Sequence, residues 1–296
     1  MTIHPVFAGI CGQDTALALL SAGLAQQRLA PAYLFVGPDG VGKKLTATRL
    51  GQALLGRSPV GHPDALWVEP TYQEKGQLLT VGEAIAQGVR RRGSPQIRLE
   101  QIREVAAFVS RVPLVADRSL VVVEQAETMA ESAANGLLKT LEEPGRATLI
   151  LLAPERQRLL PTIVSRCQVV PFYRLDEITT RTLLHQQGIG ELPAPVLALA
   201  QGSPGQALAA WQQYQALTAE QLADWAVPPP TRKAALERAR AIAQRDIDQQ
   251  VWLVDYLQQR YWERGDRRGV ARLETVKQQL GQYVQPRLVW EVFWGD

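Results

Sequence analysis

Five short runs in the first 172 residues are β-rich and show no polar alternation: YLFV (33–36), ALWV (65–68), LVVV (120–123), TLILL (148–152) and QVVPF (168–172). A strand with one wet face alternates apolar and polar residues, so runs without alternation need cover on both faces. A parallel sheet between two layers of helices provides that cover. Helical spacing lies between the runs, at Ala47, Leu50 and Leu54, at Ile102, Val105, Ala106 and Val109, and at Ala134, Leu137, Leu138 and Leu141. Pro144 stops the last of these, since it cannot continue a helix. The pattern predicts a three-layer α/β domain over residues 1–172.

After Phe172 the strand signal ends. Residues 173–214 carry short helical patterns broken by GIGELPAP (188–195) and GSPG (202–205), which predicts a small helical domain. Residues 215–296 read as wholly helical. Thr218 and Gln221 have capping-box spacing, VPPP (227–230) interrupts the chain, and Leu253, Tyr256, Leu257 and Tyr261 line one face of a long segment. Six of the seven tryptophans follow residue 205: Trp211, Trp225, Trp252, Trp262, Trp290 and Trp294. They are either the core of a helical domain or an oligomer interface, where Trp is enriched.

The 296 residues suit about two domains, and 46% hydrophobic with 21% charged residues is a globular composition. A net charge of +3 permits nucleic-acid contact without arguing for it. Arg90, Arg91 and Arg92, within the segment 71–96, are a solvated charge run or a phosphate-contacting patch. Two cysteines, Cys11 and Cys167, are too few for a disulfide framework or a four-cysteine zinc site, and they suit a reducing cytosol. His4, His62 and His185 lack metal-ligand spacing, so no metal site is expected. No apolar run reaches membrane-span length, and no basic region opens a signal peptide; a cytoplasmic protein is expected.

Residues 37–44, GPDGVGKK, follow the run YLFV and open a helical pattern. They fit the phosphate-binding loop G-x-x-x-x-G-K-[ST] except at its last position. Gly37, Gly40 and Gly42 allow the turn, while the backbone N–H groups of Pro38-Asp39-Gly40-Val41-Gly42 and beyond, proline excepted, can face phosphate oxygens. Lys43 is placed to reach the outer phosphates. Magnesium in such sites is held by a Ser/Thr hydroxyl and an acid ending a later strand. Here Lys44 replaces the hydroxyl; its ammonium cannot coordinate a metal and either points to solvent or repels one. The later strand ends in Glu124 and Gln125. Glu124 still offers a carboxylate, but an amide at Gln125 cannot act as a general base on water. The loop is expected to hold ATP or ADP without efficient hydrolysis.

The most specific stretch is EQAETMAESAANGLLKTLEEPGRATLILLAPERQRLLPTIVSRC (124–167), with ANGLLKTLEEP (134–144) and LLPTIVSRC (159–167) at its centre. It resembles the AAA+ clamp-loader subunits of bacterial DNA polymerase III, most closely the delta-prime group. AYLFVGPDGVGK (32–43), HPDALWVEP (62–70) and IRLEQIRE (97–104) match in order. The resemblance covers residues 8 to about 210, and the last third only in length and helical character. It implies an AAA+ P-loop domain, a helical lid (173–214) and a collar (215–296) joining five subunits, motor ATPases and delta among them, in a hetero-pentameric ring. Such a ring loads the sliding clamp on primer-template DNA as part of the DNA polymerase III holoenzyme, a DNA-directed DNA polymerase complex. The Ser165-Arg166-Cys167 motif implies that Arg166 reaches the ATP of a neighbouring motor subunit. Cys167, with no histidine near it in sequence, reads as a packed residue rather than a nucleophile.

Three departures qualify the resemblance. LLGRSPVGHPD (54–64) has no cysteine where many relatives carry a four-cysteine zinc module, so no zinc is expected. In GSPGQAL (202–208), Gly205 stands where hydrolysing relatives place a phosphate-sensing arginine. The phosphate loop is better preserved than in some delta-prime chains. Lys44, Gln125 and Gly205 each remove a catalytic part while Arg166 remains, the pattern of a stationary subunit that does not turn over ATP itself. A hydrolysing motor subunit would want a hydroxyl, an acid and an arginine at those positions. A free-standing AAA+ nucleic-acid remodeller would be left with identical, inactive subunits. No residue pattern suggests nucleotidyl transfer.

Overall fold

The five apolar runs pair into one parallel sheet in a computed structural model that describes residues 3–89, 93–282 and 284–295. The strands are β1 (Ala32–Val36), β2 (Ala65–Val68), β3 (Thr71–Glu74), β4 (Gln77–Thr80), β5 (Ser119–Val123), β6 (Ala147–Ala153) and β7 (Gln168–Pro171). The sheet order is β2-β5-β6-β1-β7, and β3 with β4 forms a separate antiparallel pair. Every neighbouring pair of the large sheet is parallel. The arginine run Arg90–Arg92 lies outside the described residues.

Successive residues of the central strands feed opposite layers, as a period of two requires. Tyr33, Phe35, Leu120, Val122, Ile150 and Leu152 pack with α1 (Asp14–Ala25) and α2 (Lys43–Leu55) through Leu17, Leu20, Ala47 and Leu50. Leu34, Val121, Val123, Leu149 and Leu151 form the other core. Beyond the short α3 (Val81–Ala86), that core is closed by α4 (Leu99–Val109), α5 (Glu131–Glu142) and α6 (Pro161–Val164). Its helical contributors include Ile102, Val105, Leu137, Leu141 and Ile163. Each fully buried aliphatic side chain contributes roughly 1.5–3 kcal/mol, so cover on both faces, rather than strand propensity alone, holds the sheet.

The segment 71–96, whose structure the sequence pattern leaves open, holds the β3–β4 hairpin. Lys75 and Gly76 at its tip both have positive φ, 48° and 83°, the pairing of left-handed residues that makes a tight hairpin turn follow the strand twist. Thr80 then caps α3, its backbone N–H donating to Glu83 at 2.8 Å.

The chain divides into two compact units, Met1–Thr179 and Thr180–Asp296. Among its described residues the second holds helices and no strand. After α7 (Glu177–Gln186), which crosses the boundary, come α8 (Ala194–Ala200), α9 (Pro204–Gln215), α10 (Ala219–Trp225), α11 (Arg232–Ala243), α12 (Ile247–Glu263), α13 (Arg267–Gly281) and α14 (Pro286–Gly295). A small core forms around Leu184, Val196, Ala200 and Ala207, and a larger one around Trp225, Leu257, Leu273 and Trp290. Tyr214 and Trp252 pack against both. The capping box at Thr218 and Gln221 is present, and Leu253, Tyr256, Leu257 and Tyr261 of α12 are all buried. Of the six tryptophans, Trp225, Trp290 and Trp294 are core residues, whereas Trp262 is 65% exposed. Trp290 is buried with its indole N–H donating to Gln250 Oε1 at 2.9 Å, which satisfies a polar group that would otherwise be costly there.

A buried carboxylate secures the loop that leads into β5. Asp64 accepts from the N–H groups of Leu114 at 2.6 Å, Val115 at 2.8 Å and Ala116 at 2.9 Å. Burial favours the neutral acid, but the three donors outweigh it and hold the carboxyl below its ordinary range. With the folded-state value depressed, this contribution is complete above the unfolded value of about 3.9 and lost as pH falls through the folded value. We expect Asp64→Ala to lower stability in urea unfolding at neutral pH by about 2–4 kcal/mol. A loss indistinguishable from zero would mean that the loop holds itself.

Candidate functional site

The phosphate loop occupies the turn from β1 into α2. Gly40 and Gly42 have φ of 76° and 107°, a region that L side chains enter only with strain. Gly37 answers a different need: a Cβ there would collide with the Phe172 carbonyl oxygen just beyond β7. Val41 is buried in the α1–α2 core. Gln13, almost fully buried, fixes the loop from outside. Its amide donates to the carbonyl oxygens of Val41 at 3.2 Å and Tyr173 at 2.8 Å, and accepts from the Tyr173 N–H at 3.0 Å. No motif match singles out Gln13; the signal is its place just before α1, in GQD.

Lys43 is buried, with its ammonium turned onto its own loop. It donates to the carbonyl oxygens of Gly37 and, at 2.9 Å, Pro38, and pairs with Asp39 at 3.1 Å. Together with the N–H groups at the start of α2, Lys43 fits a phosphate group: a cation and oriented backbone donors around one concave turn.

Lys44 turns onto the acidic strand ends, the direction in which its ammonium repels a metal. Its stem is more than half exposed, yet Nζ lies 2.6 Å from Glu124 Oε1 and 3.4 Å from Glu69 Oε1. The Trp67 ring centroid is 5.6 Å away. Adjacent strand ends create this cluster, because β2 pairs with β5 with Val68 opposite Val123, which places Glu69 beside Glu124. Gln101 of α4 anchors Glu69 by donating to its carbonyl oxygen at 2.9 Å. Burial works against the Lys44 charge, but Glu124 and Glu69 outweigh it and raise its pKa. Glu124 is itself raised by burial, more than Lys44 lowers it. Glu69 and Trp67 are site residues that the motif pattern passes over; HPDALWVEP held them in view without assigning them a task.

These residues do not fit magnesium. The helix position that should offer a hydroxyl offers an ammonium, and the carboxylate that should take the metal already holds that ammonium. A dication there would be repelled by the Lys44 ammonium. Gln125 is exposed with φ 47°, and its amide brings no base. Glu127, further on, is raised by burial, with the Asp39 charge adding to the effect and Lys43 offsetting part of it. Gly205 lies in the second unit, at the second residue of α9, and has no side chain with which to sense a phosphate.

Arg166 is not brought to this loop. It lies two residues before β7, which runs parallel to β1 with Tyr33 opposite Gln168 and Val36 opposite Pro171. The loop follows the far end of β1, so the strand length alone, at about 3.3 Å per residue, separates the two by more than about 13 Å. The guanidinium is exposed and oriented: Nε and Nη2 donate to Glu142 Oε1 at 2.8 and 2.5 Å, and Nη1 to the Thr162 carbonyl oxygen at 2.9 Å. An exposed pair of this kind adds roughly 0–1 kcal/mol to stability, so its consequence is direction rather than strength.

Residues 12–176 match the family described as DNA polymerase III, delta subunit, and residues 177–295 match cyanobacterial DNA polymerase III delta prime, C-terminal domain. The chain belongs to the DNA polymerase III delta-prime family. The delta-prime subunit of Pseudomonas aeruginosa is 35% identical over 156 residues, 47% of this chain and 42% of that one. The Bacillus subtilis delta-prime subunit is 30% identical over 203 residues, 63% and 55% of the two chains. The chain thus spans about half the length of these curated relatives. A gamma subunit-related protein from Thermotoga maritima shares the fold, with a TM-score of 0.53 at 16% identity, covering 93% of this chain and 97% of that one. Among the described residues no helix is long and apolar enough to cross a membrane, and no three His, Cys, Asp or Glu gather as metal ligands.

In this delta-prime chain the cysteine of the Ser-Arg-Cys motif packs against the α4–α5 core. Burial pushes the Cys167 thiol up to about 12, so almost no thiolate exists at neutral pH. Cys11 is exposed. A thiol assay on the native protein at pH 8 is expected to count one fast-reacting cysteine, and two after unfolding. Two equally fast thiols would refute the packed role of Cys167.

Proposed function

We propose that this chain is a non-hydrolysing, stator-like subunit of the DNA polymerase III clamp loader that donates Arg166 to the active site of a neighbouring ATPase subunit. The position of Arg166 carries this reading. It sits at the opposite end of its own sheet from its own phosphate loop, presented to solvent and aimed by Glu142 and Thr162. A finger so placed can neutralise a transferring phosphoryl group only on another molecule. Lys44 bound to Glu124 supports the other half, a loop that keeps its phosphate-facing parts while lacking a metal position.

The partners in this reading are the motor ATPase subunits and delta in a hetero-pentameric ring, with the sliding clamp and primer-template DNA met through the complex. Residues 173–214 would be the lid and 215–296 the collar. The loop retains ATP or ADP without turning it over, no zinc is held, and the setting is the cytoplasm.

ATP turnover by the reconstituted clamp loader with clamp and DNA tests the role of Arg166. Arg166→Ala should slow the site it completes by roughly 10³-fold or more, with the assembly intact by gel filtration. Arg166→Lys should not restore it, because an ammonium lacks the planar fork. Unchanged turnover would remove the trans role. Turnover by the purified chain alone, lost on Lys43→Ala, would instead make it a motor subunit.

A further inference from the structure

The misfit between the loop and magnesium has a consequence for its ligand. We propose that the loop binds the diphosphate group of a nucleotide without magnesium, with the Lys44 ammonium standing where a motor subunit holds the metal. This deepens the reading of the loop as a retained nucleotide site and rests on it.

Magnesium reaches such a site through two protein donors, a hydroxyl at the second helical residue and a carboxylate at the end of the neighbouring strand. Both positions here are taken by one ion pair, Lys44 Nζ and Glu124 Oε1 at 2.6 Å. The ammonium is held from two further directions, by Glu69 at 3.4 Å and by the face of Trp67. It is therefore a positioned cation rather than a free surface lysine. A metal would have to displace it from Glu124, its closest partner, against the hold of Glu69 and Trp67.

Magnesium also serves nucleotide binding by neutralising crowded phosphate oxygens. A resident ammonium supplies one positive charge beside the loop without polarising the phosphoryl group as a dication does. Lys43 supplies a second. Its present partners, the carbonyl oxygens of Gly37 and Pro38 and the carboxylate of Asp39, belong to the loop itself and can be exchanged for phosphate oxygens. The arrangement can thus bind a phosphate chain electrostatically while withholding the Lewis acid that hydrolysis needs.

Calorimetric titration of the full chain with ADP and with ATP, in EDTA and then in excess magnesium, tests this. Binding is expected in EDTA, with a Kd in magnesium equal to or weaker than that value. In Lys44→Thr, magnesium should tighten binding by roughly tenfold or more. Tightening of the wild-type chain beyond about twofold by magnesium would overturn the proposal. So would the absence of binding to either nucleotide; that result would leave the Arg166 reading standing, since it is measured at the neighbour's site. The wild-type titrations decide the matter even where the variant fails to fold.

Discussion

Parallel pairing of β1 with both β6 and β7 is the constraint on which the functional geometry depends. Parallel strands start at one end of a sheet and finish at the other, so a residue just before one strand cannot meet a residue just after its neighbour. The phosphate loop comes after β1 and Arg166 comes before β7. The same pairing that brings Phe172 against Gly37, and so demands a glycine there, sends the guanidinium to the opposite rim. A chain with this topology cannot bring its phosphate loop and Arg166 together by itself.

Much of this was legible in the sequence because burial leaves a strong mark. Runs such as LVVV and TLILL show no alternation of apolar and polar residues, and all five became strands of one sheet. Ala134, Leu137 and Leu141 at helical spacing became a buried face of α5. The β3–β4 hairpin was harder to read. Its strands are four residues long and partly exposed, so TYQE and QLLT show little hydrophobic pattern, and the informative pair is the left-handed Lys75-Gly76 turn. The tryptophans divided by burial: three joined the helical core, while Trp262 stayed on the surface.

At the site, the residue types were legible and their directions were not. GPDGVGKK locates the loop, and Lys44 announces that a hydroxyl is missing. Nothing local says where that side chain goes. Its direction is set by Glu124 and Glu69, which lie far along the chain and meet only because β2 and β5 are sheet neighbours. The difference matters chemically, since a lysine in solvent merely lacks a metal ligand, whereas a lysine on Glu124 takes away the other one. For Arg166 the motif gave the residue, while the position of β7 gave the reason it cannot act on its own loop.

Gln13 adds a mechanical connection. One side chain, almost fully buried, grips the loop at Val41 and the strand exit at Tyr173 with three hydrogen bonds. Tyr173 begins the stretch that leads out of the sheet towards α7. Whatever tilts or tightens the loop must therefore pull on that stretch or break a buried amide's bonds, and the second costs about 1–3 kcal/mol for each group left unpaired. Gln13 is thus one buried side chain through which the loop and the strand exit hold or move together.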